Sequence, residues 1–488
     1  MSEENSDKLY TGCYIAVVLA AVTLRIYKAY YTGIIYDEAL TYFRFARDFN
    51  SAVSNYSTTN NHLLNSVFIY LSVKVMGQTG MFIGVPAIRL PAVFFGIVYV
   101  ASVAVTIEAA LRNKTIKILA LVACLFNYFI FDLSILARGY AIALGAVYME
   151  LMLIVLYPRY RDRSMVILFS ALNFIALGAM LTSLYTIVPL NIAFLAVIYH
   201  TNARQVSDKA FEKAFEMGSM IMCYSSFALA VLYYKVIITI VSASAKNSEI
   251  NEAPVTILKS LITEGLFSKW RFQVPHLPDI MLSAMLCLAV LFILNIVVNK
   301  KTVTPAAIII MSVLATSFPL AYIANKTGGL SLGFTRNHVF WLPLIVLTAG
   351  IIMEGALAFL VKAGVGVLTS SIILIAVIMT AGPLMSLHAV TTYDWKPQSV
   401  VGPLLRELRK TDAARHWKVG FSDKLEFNLY PYYFYNNEVY RINDSDVSVY
   451  HISEKNLSAV SAYKYDLFKE FDCVVVLAGP AQPAGRPR

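Results

Sequence analysis

Long runs of apolar residues, separated by short polar turns, dominate the chain from its N-terminus to about residue 390. A helix needs about 20 apolar residues to cross a bilayer, and on this criterion the pattern predicts about eleven spanning helices. The chain is therefore predicted to be a polytopic α-helical membrane protein. The predicted spans are 11–31, 91–111, 116–131, 139–156, 165–181, 184–200, 218–241, 280–298, 304–324, 339–360 and 365–386.

The polar interval between the first two spans is much longer than most turns and covers about residues 32–90. It contains an apolar stretch, His62–Gly77, which is short for a span and is interrupted by Lys74. Such a stretch is typical of a helix that lies in the membrane interface. The alternative is an error in the number of spans. Two further long intervals cover about 242–279 and 325–338.

The pattern changes after the last predicted span. From about Thr391 the chain mixes a charged amphipathic helix with short strand patterns, and Phe471–Gly479 has the composition of a buried strand. We therefore expect a transmembrane domain over 1–390 and a small external α/β domain over 391–488. The Pro/Gly/Ala-rich ending, GPAQPAGRPR, is typical of a disordered tail.

Composition supports the membrane class and argues against a nucleic-acid-binding protein. Hydrophobic residues make up 58% of the chain and charged residues 14%, and the mean hydropathy is +0.64. The net charge of +10 is scattered and does not form a basic patch. Its densest clusters are the turns RNKTIK and RYRDR, which the positive-inside rule places in the cytoplasm. This topology puts the N-terminus inside and the three long intervals outside.

Two adjacent carboxylates, Asp37 and Glu38, begin the first outer loop within the stretch YDEALTYFRFARDF. The simpler interpretation is a solvated pair that caps a helix end at the lipid headgroups. However, apolar and aromatic residues surround the pair, and a carboxylate withdrawn from water is a better proton acceptor. The loop also alternates charged and aromatic residues in a way that lipid contact alone does not require. Asp37 and Glu38 are therefore candidates for proton transfer, and the capping interpretation stays open at this point.

Other polar side chains are predicted at the same ends of the helices. Asp132 and Arg138 either pair with each other or face the same cavity as the first acids, where an arginine suits bidentate contact with a phosphate. Asn61 and His62 lead the interfacial helix. Capping explains the asparagine, whereas the histidine can bind a metal, contact a phosphate or transfer a proton. Arg336 is either an interface anchor or a ligand for an anionic headgroup.

Together these predictions place polar side chains of three kinds beside outer helix ends: the Asp37/Glu38 pair with Asp132, the arginines Arg138 and Arg336, and the histidines His62 and His338. A membrane-embedded active site that faces the exterior is built in this way. The alternative is a transporter or flippase of a lipid-linked substrate, which needs charged residues near the middle of several helices. Glu150 and Lys235 are isolated charges of that kind. A third hypothesis is a scaffold membrane protein, but it does not explain why the first long loop is both acidic and aromatic.

In the order of these motifs, the chain resembles the GT-C superfamily of membrane glycosyltransferases. The resemblance is to the branch that includes the protein O-mannosyltransferases and the aminoarabinose transferase of lipid A. The resemblance runs from the first predicted span through the tenth. The chain has Leu63 where the family commonly has proline, and Asn337 where it has an aromatic residue. The segments that carry the resemblance are YDEALTYFRFA, NNHLLNSVFIYL, RLPAVFFGIVYV, SILARGYAIAL and FTRNHVFWLPLIVLTAG.

The resemblance implies transfer of a sugar from a polyprenyl-phosphate carrier to an acceptor at the outer face, with inversion at the anomeric carbon. It implies that Asp37 is the general base and that Glu38 orients it or tunes its charge. The arginines would stabilise the phosphate that leaves. The substrate-binding residues predicted in this way are Asp132, Arg138, His62, Asn61 and Arg336.

The resemblance also implies partners and a location. The partners are a polyprenyl-phosphate-linked sugar, membrane lipids and an acceptor glycolipid, polysaccharide or protein. Some members of the superfamily use a divalent cation, and Mg or Mn would here be bound by Asp37, Asp132 or His62. A bacterial inner membrane is the expected location, although sequons at Asn325 and Asn456 leave the endoplasmic reticulum open.

Overall fold

In the computed structural model of the chain, the described residues are 3–54, 62–78, 85–203, 261, 277–298, 303–328, 338–362, 364–385, 387, 417–422, 447–452 and 476–478. The chain separates into two compact units. The first comprises 1–26, 56–65 and 91–387, and the second comprises 27–55, 66–90 and 388–488.

The described residues form fourteen α-helices and three β-strands. A π-helical turn, Tyr42–Ala46, follows α2, and a 3-10 turn, Leu181–Ser183, precedes α10. The helices are α1 (Glu3–Tyr31), α2 (Tyr36–Thr41), α3 (Phe49–Ser54), α4 (Leu63–Gln78), α5 (Val85–Ala110), α6 (Lys114–Leu125), α7 (Tyr128–Leu133), α8 (Gly139–Tyr160), α9 (Arg163–Ala179), α10 (Leu184–Ala203), α11 (Leu277–Val298), α12 (Pro305–Gly328), α13 (Trp341–Lys362) and α14 (Gly366–Met385). The strands are β1 (Trp417–Ser422), β2 (Val447–Ile452) and β3 (Val476–Ala478).

Six membrane spans are identified by length and composition within the described residues. They lie in α1, α5, α8, α12, α13 and in α10 with the turn before it. Helices α4, α9 and α11 hold shorter apolar stretches. The polytopic helical membrane architecture is therefore confirmed, whereas the total of about eleven spans stays a prediction. The predicted span 218–241 lies outside the described residues.

The third predicted span, 116–131, is wrong as a single helix. Helix α6 ends at Leu125, and α7 begins at Tyr128. The side chain of Asn127 accepts hydrogen bonds from the backbone N–H groups of Phe129 and Ile130, so it caps a second helix. The break leaves α6 with 12 residues and α7 with 6, and it places the predicted site residue Asp132 in α7.

In the first unit, α5 lies close against α8 and the turn before it at two glycines. A Cβ atom at Gly145 would collide with the carbonyl oxygen of Phe95. A Cβ atom at Gly96 would lie 2.8 Å from the carbonyl oxygen of Ser134. A larger side chain at either position requires a backbone shift, so these glycines keep α8 in close contact with α5.

Arg25 joins α1 to the broken helix pair in the same unit. Its side chain is fully buried, and the guanidinium donates hydrogen bonds to Ser134 Oγ at 3.0 Å and to the carbonyl oxygens of Ala21 and Leu125 at 3.1 and 2.9 Å. The guanidinium carbon lies 4.5 Å from the ring centroid of Phe131. Leu125 ends α6 and Ser134 is the C-cap of α7, where carbonyl groups and helix dipoles attract a cation. Arg25 therefore stabilises the ends of both helices.

The second unit contains α2, α3 and most of α4, from the loop that is predicted to lie outside, together with the C-terminal strands. Helix α4 confirms the helix predicted over His62–Gly77, and its position in the membrane interface stays a prediction. Strand β1 lies between β2, to which it is parallel, and β3, to which it is antiparallel. Strand β3 falls within the predicted strand Phe471–Gly479. Because most of 391–488 lies outside the described residues, the external α/β domain stays a prediction.

Candidate functional site

Asp37 and Glu38 both lie in the first turn of α2. Negative side chains at this position interact favourably with the helix dipole. The Oε2 atom of Glu38 also accepts a hydrogen bond from the backbone N–H of Ile35 at 3.1 Å, which stabilises the start of the helix. Asp37 is half-buried, whereas Glu38 is fully buried.

A buried arginine, Arg89 near the start of α5, pairs with Glu38 within the second unit. Its Nε donates to Oε1 of Glu38 at 2.7 Å and its Nη2 to Oε2 at 2.5 Å, and neither side chain is exposed. The remaining N–H groups donate to the carbonyl oxygens of Ala29, Thr32 and Gly33 at 3.0, 2.8 and 2.9 Å. All five N–H groups of the guanidinium are therefore used.

The two neighbouring acids consequently have different surroundings. Both carboxylate oxygens of Glu38 accept hydrogen bonds from Arg89, whose charge compensates for the burial of the carboxylate. Asp37 lies half-buried in the same turn, and its backbone carbonyl accepts a hydrogen bond from Thr41 Oγ1 at 2.7 Å. The partial exposure of Asp37 favours it for proton transfer, and the pairing of Glu38 with Arg89 favours Glu38 for support. The catalytic roles of both acids stay predictions.

Arg138 is the N-cap residue of α8 and lies beside His62 in the first unit. Its Nη2 is 3.3 Å from Nε2 of His62, and its guanidinium carbon is 5.7 Å from the ring centroid of Tyr140. Arg138 is buried, and His62 is half-buried. Because a guanidinium can only donate, this hydrogen bond requires a neutral imidazole with Nε2 as the acceptor.

A hydrogen bond and a close approach at a glycine hold the start of α4 against the turn before α8. Asn65 Nδ2 donates a hydrogen bond to the carbonyl oxygen of Ala137 at 3.2 Å. A Cβ atom at Gly139 would collide with the carbonyl oxygen of Ala179 and would lie 3.1 Å from Cβ of His62, so the absence of a side chain there lets both approach. The first turn of α8 has backbone N–H groups without partners in the helix and a partial positive charge. A helix N-terminus with a guanidinium and an imidazole suits an anion such as a phosphate.

Of the other predicted site residues, the structure describes Asp132 and does not describe Asn61 or Arg336. Asp132 is buried in α7. His338, two positions after Arg336, is fully buried, and its ring centroid lies 4.5 Å from that of Trp341 at an interplanar angle of 30°. His338 therefore has an aromatic environment at the start of α13.

Sequence reasoning missed Arg89, which pairs with the predicted acid Glu38, and Arg25, which bonds to the ends of α6 and α7. Each is a charge within a predominantly apolar run, where a charged side chain is costly unless it is paired. That rule would have singled out both arginines. It would not have identified their partners, because Arg89 and Glu38 are 51 residues apart and Arg25 and Ser134 are 109 residues apart.

The surroundings of the predicted metal ligands differ from one another. Among them, no three His, Cys, Asp or Glu side chains lie close enough together to hold a metal ion. The guanidinium of Arg138 beside His62 disfavours a cation at that imidazole, because like charges repel. Carboxylates such as Asp37 and Asp132 are the ligands that Mg prefers, so the predicted divalent cation stays a prediction.

Comparisons with known proteins give likenesses in structure and none in sequence. No protein-family model matches the chain, and no curated protein matches it. The chain is similar in structure to ArnT from Cupriavidus metallidurans, which was crystallised bound to undecaprenyl phosphate. The two share 11% sequence identity over 95% of this chain and 92% of that protein, with a TM-score of 0.43.

Proposed function

We propose that the chain is an integral membrane glycosyltransferase of the GT-C type. It moves a sugar from a polyprenyl-phosphate carrier to a hydroxyl group of an acceptor. The observation that carries the proposal is the half-buried Asp37 in the first turn of α2, next to a Glu38 whose charge is paired with Arg89. Because the neighbouring charge is neutralised, Asp37 can act as a single proton acceptor.

The proposed reaction is one displacement at the anomeric carbon. The acceptor oxygen forms a bond to that carbon while Asp37 takes the hydroxyl proton. The bond between the anomeric carbon and the phosphate oxygen breaks, and the electron pair leaves with the polyprenyl phosphate. Because attack and departure occur on opposite faces of the sugar, the configuration inverts.

The leaving phosphate needs positive charge more than it needs a proton. Arg138, the N-terminus of α8 and the N–H of the neutral His62 imidazole are groups that can supply hydrogen bonds and charge. We propose that they bind the carrier phosphate. Arg336, which lies outside the described residues, is proposed as a further phosphate ligand on the basis of the sequence resemblance.

The remaining parts of the proposal concern acceptor, cation and location. The acceptor is a glycolipid, a polysaccharide or a protein, and Asp132 helps to bind it. The outer face of a bacterial inner membrane is the proposed location of the reaction. A divalent cation, Mg or Mn, is proposed as an optional component with Asp37 or Asp132 as its ligand.

The test compares the purified protein with Asp37→Asn and Asp48→Asn variants. Each is offered a panel of polyprenyl-phosphate sugars and candidate acceptors, with and without EDTA. Asp48 is an exposed acid in the same loop whose Oδ1 accepts a hydrogen bond from Ser51 N–H at 2.8 Å, which an asparagine can also do. We expect Asp37→Asn to lose about 100-fold or more in kcat, because a general base contributes about 10²–10⁴-fold. Asp48→Asn should retain native activity.

The outcomes separate the proposal from its alternative. Transfer that survives in Asp37→Asn would contradict the proposed base. No turnover of any lipid-linked sugar by the native protein would favour the transporter or flippase, for which reconstituted vesicles give a direct assay of lipid-linked substrate movement.

A further inference from the structure

We propose that Arg89 is a positioning residue that holds Asp37 in place for proton transfer. The inference rests on the proposed function, because it gives Arg89 a role in the same reaction. Arg89 acts without touching Asp37, since its N–H groups are all occupied by Glu38 and by three backbone carbonyls. Its effect reaches Asp37 through the backbone of α2.

The acceptors of Arg89 come from both sides of the turn that precedes Asp37. Ala29 lies in the last turn of α1, where carbonyl groups lack partners within the helix, and Thr32 and Gly33 lie in the turn itself. Glu38 lies just after the turn, in α2. One planar group therefore joins the end of α1 to the start of α2.

The contact between Glu38 and Ile35 completes this arrangement. The Oε2 atom of Glu38 accepts hydrogen bonds from Arg89 and from the backbone N–H of Ile35. The orientation of the first turn of α2 is thus set on both sides of Asp37, at positions 35 and 38. A side chain on that turn has little freedom to move, which is the requirement for a positioned general base.

Lysine cannot replace Arg89 in this role. An ammonium group has three donors around one nitrogen, whereas the guanidinium of Arg89 has five donors in a planar fork. In an Arg89→Lys variant the charge of Glu38 stays paired, but the bidentate contact and some of the three carbonyl contacts are lost. The variant therefore separates positioning from simple charge neutralisation.

The first test does not depend on activity. Native protein and Arg89→Gln are treated in membranes with a water-soluble carbodiimide and an amine, and labelled carboxylates are mapped by peptide mass spectrometry. We expect Glu38 to be unlabelled in the native protein, in which it is buried, and labelled in Arg89→Gln. Arg159→Gln, a change at an exposed arginine, should leave Glu38 unlabelled. Equal labelling of Glu38 in native protein and Arg89→Gln would overturn the proposal.

The second test measures kcat and KM for the carrier-linked sugar. We expect Arg89→Lys to lower kcat by about 10- to 100-fold with little change in KM, because a displacement of about 1 Å costs about 10²-fold. Added guanidinium should restore part of the kcat of Arg89→Ala. A native kcat in Arg89→Lys would overturn the proposal, and so would a raised KM with an unchanged kcat, which would make Arg89 a donor-binding residue.

The two tests also distinguish this proposal from the proposed function. If the native protein transfers no sugar, the glycosyltransferase proposal fails, and with it the role in proton transfer. The labelling experiment still decides whether Arg89 holds the turn around Asp37. If sugar transfer is observed but Glu38 is labelled equally in both proteins, only the positioning role of Arg89 fails.

Discussion

A buried charged side chain in a membrane protein is stable when its hydrogen-bonding groups have partners. Arg25 and Arg89 meet this condition through carbonyl, hydroxyl and carboxylate groups. Glu150 differs from them. It is fully buried in α8, and neither of its carboxylate oxygens has a hydrogen-bond partner in the described part of the chain. It therefore contributes no described interaction that offsets its removal from water.

Replacement of Glu150 by leucine should stabilise the protein. Removal of a buried polar group without a partner is expected to gain about 1–3 kcal/mol, and each kcal/mol raises Tm by about 2–4 °C in a large domain. Thermal unfolding of the purified protein in detergent measures the change. Glu150→Gln is the matched control and should not show this gain, since it keeps a polar group there. A lower Tm for Glu150→Leu would mean that the acid has a partner outside the described residues.

The partners of individual side chains are the part of the structure that the sequence predicts least completely. The acidic pair was visible as two charges among aromatic residues, and the structure places both in one helical turn. The sequence does not predict that Glu38 is buried and paired, because its partner is Arg89. A partner 51 positions away in the sequence cannot be identified from local composition.

At the scale of the elements, the apolar pattern predicted helices well where the runs were long. Predicted spans such as 139–156 and 339–360 correspond to α8 and α13 with shifts of a few residues. The pattern failed over 116–131, where apolar composition continues through the break between α6 and α7. At the break, the polar side chain of Asn127 caps α7, and a measure averaged over many residues does not detect one such residue.

Helix capping gives a pH-dependent prediction at the start of α9. Oδ1 of Asp162 accepts a hydrogen bond from the backbone N–H of Ser164 at 2.9 Å, and this bond holds the pKa of the carboxyl group below its usual value of 3.8. A carboxyl group with a lowered pKa stabilises the fold at pH values above its pKa in the unfolded chain. That stabilisation is lost as the pH falls through the pKa of the folded state.

The matched variant is Asp162→Asn, which keeps the cap but cannot titrate. We expect the native protein to have the higher Tm at pH 6 and to lose that advantage as the pH falls below about 4, near the unfolded pKa. Paired thermal unfolding curves from pH 6 to pH 3 measure the difference. An advantage that is independent of pH would contradict the assignment of the lowered pKa to this cap.

At the scale of the whole molecule, the distribution of basic turns predicts the topology. The turns at 112–117 and 159–163 are assigned to the cytoplasm, and the loop that carries Asp37 is assigned to the exterior. The six described spans fit a polytopic protein and leave this orientation as a prediction.

Two single-cysteine variants test the topology after removal of the native cysteines. Asp48→Cys lies in the first outer loop, and Arg163→Cys lies at the start of α9. In right-side-out vesicles, we expect a membrane-impermeant maleimide to label the first variant directly and the second only after permeabilisation. The reverse pattern would contradict the topology and the outward-facing reaction that depends on it.

The ion pair between Glu38 and Arg89 joins the two ends of the long loop between α1 and α5, because its partners lie near those ends. Insertions at 55–61 or 79–84 are therefore compatible with an unchanged turn around Asp37. Within this loop, the start of α4 carries His62 of the proposed phosphate site, so changes in loop length are expected to be tolerated on either side of α4 and not within it.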